Sequence, residues 1–389
     1  MNTPIHTPEG MRDLLFSECR TRRQMRETLS SLFRRRGYLE IMTPELEFYD
    51  LFLASGDPIA QERMIKIIDR SGKILVLRPD CTTPIARVAA TKLKNLPMPQ
   101  RFYYDQTVFR SDDAHQGTRS DIMQCGVEFI GAQGMKSHFE IIALAIDALK
   151  CCQVPMFYIE LGHVSFCRDL LAQLPLEGNK SDWALELIEK KDFAALERLL
   201  APYRDAPACQ VLRMLPYLFG GEEALCEAER LAPDNKALAY LRELYEGLSA
   251  AGYSEYLRFD LGLVHKMDYY TGLIFRGYAA KAGAAVLSGG RYDKLAESLG
   301  RPAEAIGFAV DVDRLSDAVV LAEMPQLERV IHFEIEGFAD AIAALEAADE
   351  GTAELSPCRN LESSMQLAKD KGAKTVLVCD CNGERTVEV

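Results

Sequence analysis

The stretch from residue 101 to residue 131 constrains the fold more than any other part of the chain. It begins with RFYYDQTVFR and ends with IMQCGVEFIG, and a charged loop joins the two. Aromatic and β-branched residues predict two strands. In the second strand, a period of two predicts Gln124, Gly126 and Glu128 on one face and apolar side chains on the other. The gap over Gly126 leaves room for a small ligand, although a solvated sheet face would show the same pattern.

The whole chain narrows the class of protein. Its 389 residues are enough for two or three domains with a large core. A formal net charge of −13 argues against a general nucleic-acid binder. The sequence shows no signal-peptide pattern and no apolar run long enough to span a bilayer. We therefore expect a cytoplasmic protein without membrane contact.

Cysteine and histidine spacing gives no sign of a metal site. None of the eleven cysteines forms a CxxC pair, and the six histidines do not pair at the spacing of metal ligands. We expect reduced thiols, no metal and no cofactor. A P-loop, a nucleophile elbow and an HExxH motif are also missing from the sequence.

Patterning along the chain predicts an α+β protein with three parts. Residues 1–320 form a core of mixed helices and strands, interrupted by a helical insertion at 165–252, where Leu, Ala, Glu and Lys dominate. Residues 325–389 predict a small acidic α/β domain. From 316 to 389, fifteen acidic residues face six basic ones, a net charge of −9, which disfavours RNA binding by this segment.

Polar residues near the ends of the predicted strands form a candidate ligand site. Carboxylates and arginines beside aromatic rings suit a zwitterion: a carboxylate pair would hold an ammonium, and an arginine a carboxylate or phosphate. Ordinary surface salt bridges would give the same composition. The set is Asp80, Arg110, Gln124, Glu128, Asp268, Tyr269, Tyr270, Arg291 and Arg314.

At these residues the chain resembles the class II aminoacyl-tRNA synthetases, and among them histidyl-tRNA synthetase. The similar segments follow that family's order: TPEGMRDLL at 7–15, motif 1 at 37–47, motif 2 at 101–131, the histidine-specific segment at 268–272 and motif 3 at 306–315. The resemblance implies a class II synthetase-like core, a mainly antiparallel sheet flanked by helices, that dimerises through motif 1.

Three positions depart from the synthetase pattern where ATP would be handled. His265 stands where the synthetases carry an arginine that meets the reacting carboxylate and the α-phosphate. Ser120 stands at the place of a further arginine, although Arg119 beside it could partly compensate. Asp311 replaces a glycine of motif 3 and adds bulk and negative charge beside a polyphosphate. Because losing one preorganised donor typically costs ~10²–10³ in rate, the resemblance implies a site that no longer activates an amino acid.

The floor that would hold the amino acid is retained. By the resemblance, histidine would place its ammonium on Glu128 and Asp80. The other candidate histidine-binding residues are Thr82, Gln124, Tyr269 and Tyr270. Arg110 and Arg314 would be relics of a nucleotide or phosphate site.

This combination is similar to a paralogous family, the regulatory subunits of ATP phosphoribosyltransferase. The resemblance implies a non-catalytic partner of a short catalytic subunit in the first step of histidine biosynthesis, required for full activity and for feedback inhibition by histidine. It also implies hetero-octamers built on class II dimers, without aminoacylation or tRNA binding. Two alternatives stay open. One is a divergent histidyl-tRNA synthetase or related amino-acid ligase using Arg110 and Arg314; the other is an RNA-binding factor without chemistry.

Overall fold

A large, mainly antiparallel sheet organises the first part of the chain in the computed structural model, which describes residues 6–54, 61–111, 119–131, 133–264 and 270–389. The chain divides into two units, Met1–Leu321 and Ala322–Val389. No helix in the described ranges is long and apolar enough to cross a membrane.

The described residues form sixteen strands and fourteen α-helices. The strands are β1 Leu39–Glu40, β2 Leu46–Phe48, β3 Lys66–Ile68, β4 Ile74–Leu77, β5 Gln100–Phe109, β6 Asp121–Ile130, β7 Phe157–His163, β8 Phe219–Gly220, β9 Leu257–Asp260, β10 Leu273–Ala279, β11 Leu287–Arg291, β12 Ala305–Asp311, β13 Arg329–Phe333, β14 Ala353–Leu355, β15 Thr375–Asp380 and β16 Gly383–Glu388. The helices are α1 Ser17–Arg35, α2 Tyr49–Ala54, α3 Thr82–Ala90, α4 Gly134–Cys151, α5 Val164–Leu171, α6 Lys180–Glu189, α7 Phe193–Leu200, α8 Pro207–Met214, α9 Glu222–Leu231, α10 Lys236–Ala250, α11 Asp293–Ser298, α12 Val312–Asp317, α13 Phe338–Glu346 and α14 Leu361–Lys371.

The nine-stranded sheet has the order β1-β5-β6-β12-β11-β10-β7-β9-β8. Only the pairs β1–β5 and β7–β9 are parallel among its described strands. A mainly antiparallel sheet flanked by helices confirms the predicted fold class. A separate three-stranded sheet has the order β2-β4-β3, and its strand β2 begins at the end of motif 1.

The hairpin of β5 and β6 is the longest pairing in this sheet. It runs in register from Gln100 opposite Ile130 to Phe109 opposite Asp121. The apolar side chains of β6, including Cys125 and Val127, are buried in the main core with residues of α1 and α4. The predicted two-faced strand is therefore confirmed, because the opposite face is left for Gln124, Gly126 and Glu128.

Helices α5 to α10 occupy the part of the chain where the insertion is predicted. Their apolar faces, with residues such as Ile188 and Leu241, join the core of the main sheet. The pattern there indicated no strand, but Phe219 and Gly220 form the short β8 on the edge of the sheet.

The second unit is a small four-stranded sheet with one helix on each face. Its order is β14-β13-β15-β16, parallel except for the antiparallel pair β15–β16. The buried side chains alternate along the strands: Val330 packs with α14, and Ile331 with α13. This period of two produces an apolar core on both sides of the sheet.

Candidate functional site

A cavity of about 240 Å³ lies over the polar face of β6. Register explains its shape, because β12 places Ala309 opposite Gly126 and Gly307 opposite Glu128. A Cβ added at Gly126 would lie 2.4 Å from the Tyr104 hydroxyl oxygen, so the floor tolerates only glycine there. Small residues thus keep the floor low between polar side chains.

The cavity collects most of the predicted histidine-binding residues. Its lining includes Asp80, Thr82, Gln124, Glu128 and Tyr270, together with Arg110. Tyr269, Asp268 and His265 lie outside the described residues. The assignment of these residues to histidine stays a prediction, but the fold brings the described ones together.

Several lining residues were missed in the sequence. They are Arg63, Cys81, Tyr104, Ser288 and Tyr292. The signal for Tyr292 was present, since it belongs to the GGRYD run at 289–293. Its contact with a strand 164 residues away in the chain is set by the sheet register, which the sequence does not reveal.

Glu128 is the central acid of the site and is only 2% exposed. The hydroxyl of Thr82 donates to its Oε1 at 2.6 Å, and the hydroxyl of Tyr292 donates to its Oε2. Burial raises the pKa of Glu128 to about 8, and these two hydrogen bonds and the nearby Asp80 carboxylate modify that effect. This raised pKa keeps the Glu128 carboxyl mostly protonated at neutral pH, and an ammonium group placed beside it would favour the ionised form.

Asp80 has a structural contact besides its place in the cavity. Its Oδ1 accepts a hydrogen bond from the Thr83 amide at 2.9 Å, and its Oδ2 accepts one from the Thr83 hydroxyl at 3.1 Å. These bonds cap the first turn of α3. The carboxylate is thereby held in one orientation at the wall of the cavity.

Arg110 supplies a positive group to the same cavity. Its Nε donates to the carbonyl of Pro79 at 2.8 Å, and its amide donates to the carbonyl of Ser120 at 2.8 Å. The cavity thus contains carboxylates and a guanidinium, the complementary charges that a zwitterionic amino acid requires.

Arg314 does not line the cavity and contacts Asp311 instead. Its Nε lies 3.2 Å from Asp311 Oδ2, and its amide donates to Asp311 Oδ1 at 2.9 Å. Asp311 is thus the N-cap of α12, and burial raises the pKa of its carboxyl. The aspartate was expected to add bulk and charge; in addition, it forms an ion pair with Arg314.

Arg119 is also held by a carboxylate of the chain. Its guanidinium lies 3.0 Å from Asp313 Oδ1, and Asp313 Oδ2 accepts the amide of Met123 at 2.8 Å. Ser120 donates its amide to the carbonyl of Gly10 at 2.8 Å, so the opening segment contacts the end of the motif 2 loop. The guanidinium that could partly compensate for Ser120 therefore forms an ion pair with Asp313.

A buried polar chain links the helical insertion to the segment beside Tyr270. The Tyr240 hydroxyl in α10 contacts His138 Nδ1, and His138 Nε2 lies 3.2 Å from the guanidinium of Arg291. The Thr271 amide donates to the carbonyl of Arg291 at 2.7 Å. Burial lowers the pKa of His138 to about 4, so the imidazole is neutral in this chain of contacts.

Comparison with known proteins shows which family this chain resembles. The family model described as histidyl-tRNA synthetase matches residues 10–315. ATP phosphoribosyltransferase regulatory subunits are 37% identical in Clostridium acetobutylicum, covering 100% of this chain and 98% of the relative, and 36% in Bacillus cereus, covering 95% and 90%.

Solved structures agree with these sequence comparisons. One described as an ATP phosphoribosyltransferase regulatory subunit/histidyl-tRNA synthetase from Bacillus halodurans has a TM-score of 0.87 and 32% identity, over 98% of this chain and 100% of that one. Histidyl-tRNA synthetase from Nostoc, at 17% identity and a TM-score of 0.75, shares the fold. The chain therefore belongs to the family of ATP phosphoribosyltransferase regulatory subunits, which are built on the histidyl-tRNA synthetase fold.

Proposed function

We propose that this chain is a cytoplasmic, non-catalytic subunit that binds histidine and regulates a short ATP phosphoribosyltransferase catalytic subunit. The assembly would carry out the first step of histidine biosynthesis, with histidine as feedback inhibitor and class II dimers within a hetero-octamer. The catalytic partner would carry out the phosphoribosyl transfer, and this chain would be required for full activity and for the inhibition by histidine. The chain itself would activate no amino acid and charge no tRNA.

One observation carries the non-catalytic part of this proposal. Two arginines within motifs 2 and 3 form ion pairs with the chain's own carboxylates, Arg119 with Asp313 and Arg314 with Asp311. Electrostatic stabilisation of a transferring phosphoryl group needs cations aimed at it. Arginines neutralised within the protein supply little of that stabilisation.

The amino-acid floor supports histidine as the effector. The ammonium of histidine would lie between Glu128 and Asp80, and its carboxylate would face Arg110. A cavity of about 240 Å³ has room for a small ligand. Histidine would bind two states of the complex with different affinity. It would thereby shift the equilibrium between these states and regulate the catalytic partner.

Exposed apolar side chains support self-association. Monomeric proteins rarely leave large apolar patches in water. A group that we call the motif 1 face is exposed on β1, on the segment after it and on the three-stranded sheet: Leu39, Met42, Leu46, Phe48, Ile67, Ile68 and Ile74. We propose that this face meets a second copy of the chain.

Reconstitution with a short catalytic subunit tests the function directly. Adding the chain should raise the rate of phosphoribosyl-ATP formation, and histidine should inhibit the complex. Glu128→Gln should weaken histidine binding at least about tenfold, a loss of about 1.4 kcal/mol, while activation is kept. Glu160→Gln is the matched control, because Glu160 is also buried and has a raised pKa of about 7 but does not line the cavity.

ATP–pyrophosphate exchange separates this proposal from a divergent synthetase. The chain alone, with histidine and ATP, should show no exchange above background. Robust exchange, or charging of tRNA, would contradict the regulatory proposal and favour a divergent synthetase or related ligase.

A further inference from the structure

We propose that a second cavity, which we call the arginine cavity, binds a small phosphorylated molecule. It has a volume of about 580 Å³ and lies between α1, the segment after β1 and strand β5. Four arginines line it: Arg22, Arg23, Arg26 and Arg78. This inference is independent of the proposed function, because none of these residues lines the candidate histidine site.

The lining of the arginine cavity carries excess positive charge. Four arginines face two carboxylates, Glu45 and Asp105, so the lining has a formal excess of two positive charges. Arg26 Nε donates to both oxygens of Asp105, at 2.8 Å and 2.9 Å, and this pair is neutral. Three arginines and the exposed Glu45 remain.

Arg78 is the fixed cation of this cavity. The residue is only 3% exposed. Its Nε donates to the carbonyl of Thr107 at 2.7 Å, and one of its terminal nitrogens donates to the carbonyl of Thr43, also at 2.7 Å. Within the described ranges, no carboxylate forms an ion pair with it. A buried charge without a counter-ion is costly, and a bound anion would supply that counter-charge.

Arg22 adds a second group in need of an acceptor. Its Nε is buried without a hydrogen-bond partner among the described residues. The nearest carboxylate oxygen in an ion pair with it, Asp313 Oδ1, is 3.4 Å away and is shared with Arg119 at 3.0 Å. One carboxylate between two guanidiniums leaves positive charge beside the cavity.

The chemistry of the lining selects the class of ligand. Guanidinium groups bind phosphate through paired, charge-assisted hydrogen bonds, and the positive charge that remains in the lining suits an anionic ligand. Leu14, Met42 and Met123 add apolar surface. The volume also lies in the range of roughly 300–1,000 Å³ typical of organic ligands. We therefore assign the cavity to an organic phosphate.

Calorimetric titration of the full chain at low salt tests this assignment, with ribose 5-phosphate and inorganic pyrophosphate as probes. We expect saturable binding of at least one probe, weakened tenfold or more in the double variant Arg22→Gln/Arg23→Gln. Arg35→Gln is the matched control, because Arg35 is an exposed arginine of the same helix outside the cavity. Histidine affinity should be unchanged in both variants.

Three results would overturn the assignment. The first is no saturable binding of either probe, as expected if carboxylates of a second copy fill the cavity. The second is an equal loss in Arg35→Gln, which would indicate general charge attraction. The third is loss of probe binding in Glu128→Gln, which would move the phosphate to the histidine site. Failure to regulate a catalytic subunit leaves these readouts unaffected, so the two proposals fail separately.

Discussion

The carboxylate of Asp311 and the guanidinium of Arg314 face each other across the first turn of α12, with Oδ2 and Nε 3.2 Å apart. The same aspartate caps that turn through the Arg314 amide. A single side chain therefore begins the helix and fixes the direction of the arginine. Removing it should affect both stability and anion binding.

Asp311→Gly should release Arg314 and remove one negative charge. We expect ATP affinity, measured by calorimetry, to rise about tenfold, equal to about 1.4 kcal/mol, with histidine affinity unchanged. Because glycine is itself tolerated at an N-cap, loss of the capping carboxylate should lower the free energy of unfolding by only about a few tenths of a kcal/mol. Asp311→Glu keeps the charge and should gain no ATP affinity. Equal ATP affinity in Asp311→Gly and the parent protein would contradict the idea that this pair blocks phosphate binding.

Gly307→Ala should damage the proposed histidine site through steric contact alone. An added Cβ would lie 2.1 Å from Glu128 Oε2 and 2.3 Å from the Val127 carbonyl oxygen. We expect the free energy of unfolding to fall by about 1–3 kcal/mol from overpacking, and histidine affinity to fall because Glu128 is displaced. Gly283→Ala is the control, since its Cβ would meet no atom within 4 Å. Urea unfolding and calorimetry check both, and equal stabilities of the two variants would refute the steric argument.

Glu128 should make the protein less stable as the pH rises. Its pKa is raised in the fold from 4.5 to about 8. Between these values the folded state holds a proton that the unfolded state has released, so the free energy of unfolding falls with pH, by at most about 1.4 kcal/mol per pH unit. The stabilising effect of protonation is complete below 4.5 and lost above about 8.

Glu128→Gln cannot titrate, so its advantage in melting temperature over the parent protein should grow from pH 5 to pH 8 and then level off. Because Glu160 titrates in both proteins, its contribution cancels in the difference. Thermal unfolding at each pH measures the effect. Parallel curves for the two proteins would show that Glu128 has an ordinary pKa.

The motif 1 face makes a prediction about assembly. Ile68 is 74% exposed on β3, and Ile68→Glu should place a charge in the proposed contact between copies. We expect light scattering to show dimers for the parent protein and monomers for the variant at micromolar concentration. Ile335→Glu is the matched control, because Ile335 is 89% exposed in the second unit. A dimeric Ile68→Glu variant would place the contact elsewhere.

Local patterns predicted the hairpin of β5 and β6 well, because the alternation of side chains between faces depends only on neighbours in the chain. The position of Glu128 over the cavity follows from this alternation. Resemblance in the order of motifs predicted the class of fold, although no local pattern indicates how nine strands are arranged.

The contacts that define the site depend on distant parts of the chain. Tyr292 reaches Glu128 because β11 pairs with β12 and β12 pairs with β6, and no spacing in the sequence indicates this contact. Asp80 and Asp311 were assigned as charges next to a ligand, yet both also cap helices, because a short acidic side chain before a helix accepts backbone amides. The negative charge at these two positions was predictable from the sequence, but the hydrogen-bond partners of the site residues were not.

The contacts among Tyr240, His138 and Arg291 affect how a deletion of the helical insertion should be interpreted. A shortened protein without the insertion would lose the Tyr240 hydroxyl and leave the neutral His138 imidazole unpartnered on that side. The disturbance would reach Thr271, the neighbour of Tyr270, through Arg291. Weak histidine binding by such a truncated protein would therefore report a loosened cavity wall, even if the insertion never touches the ligand.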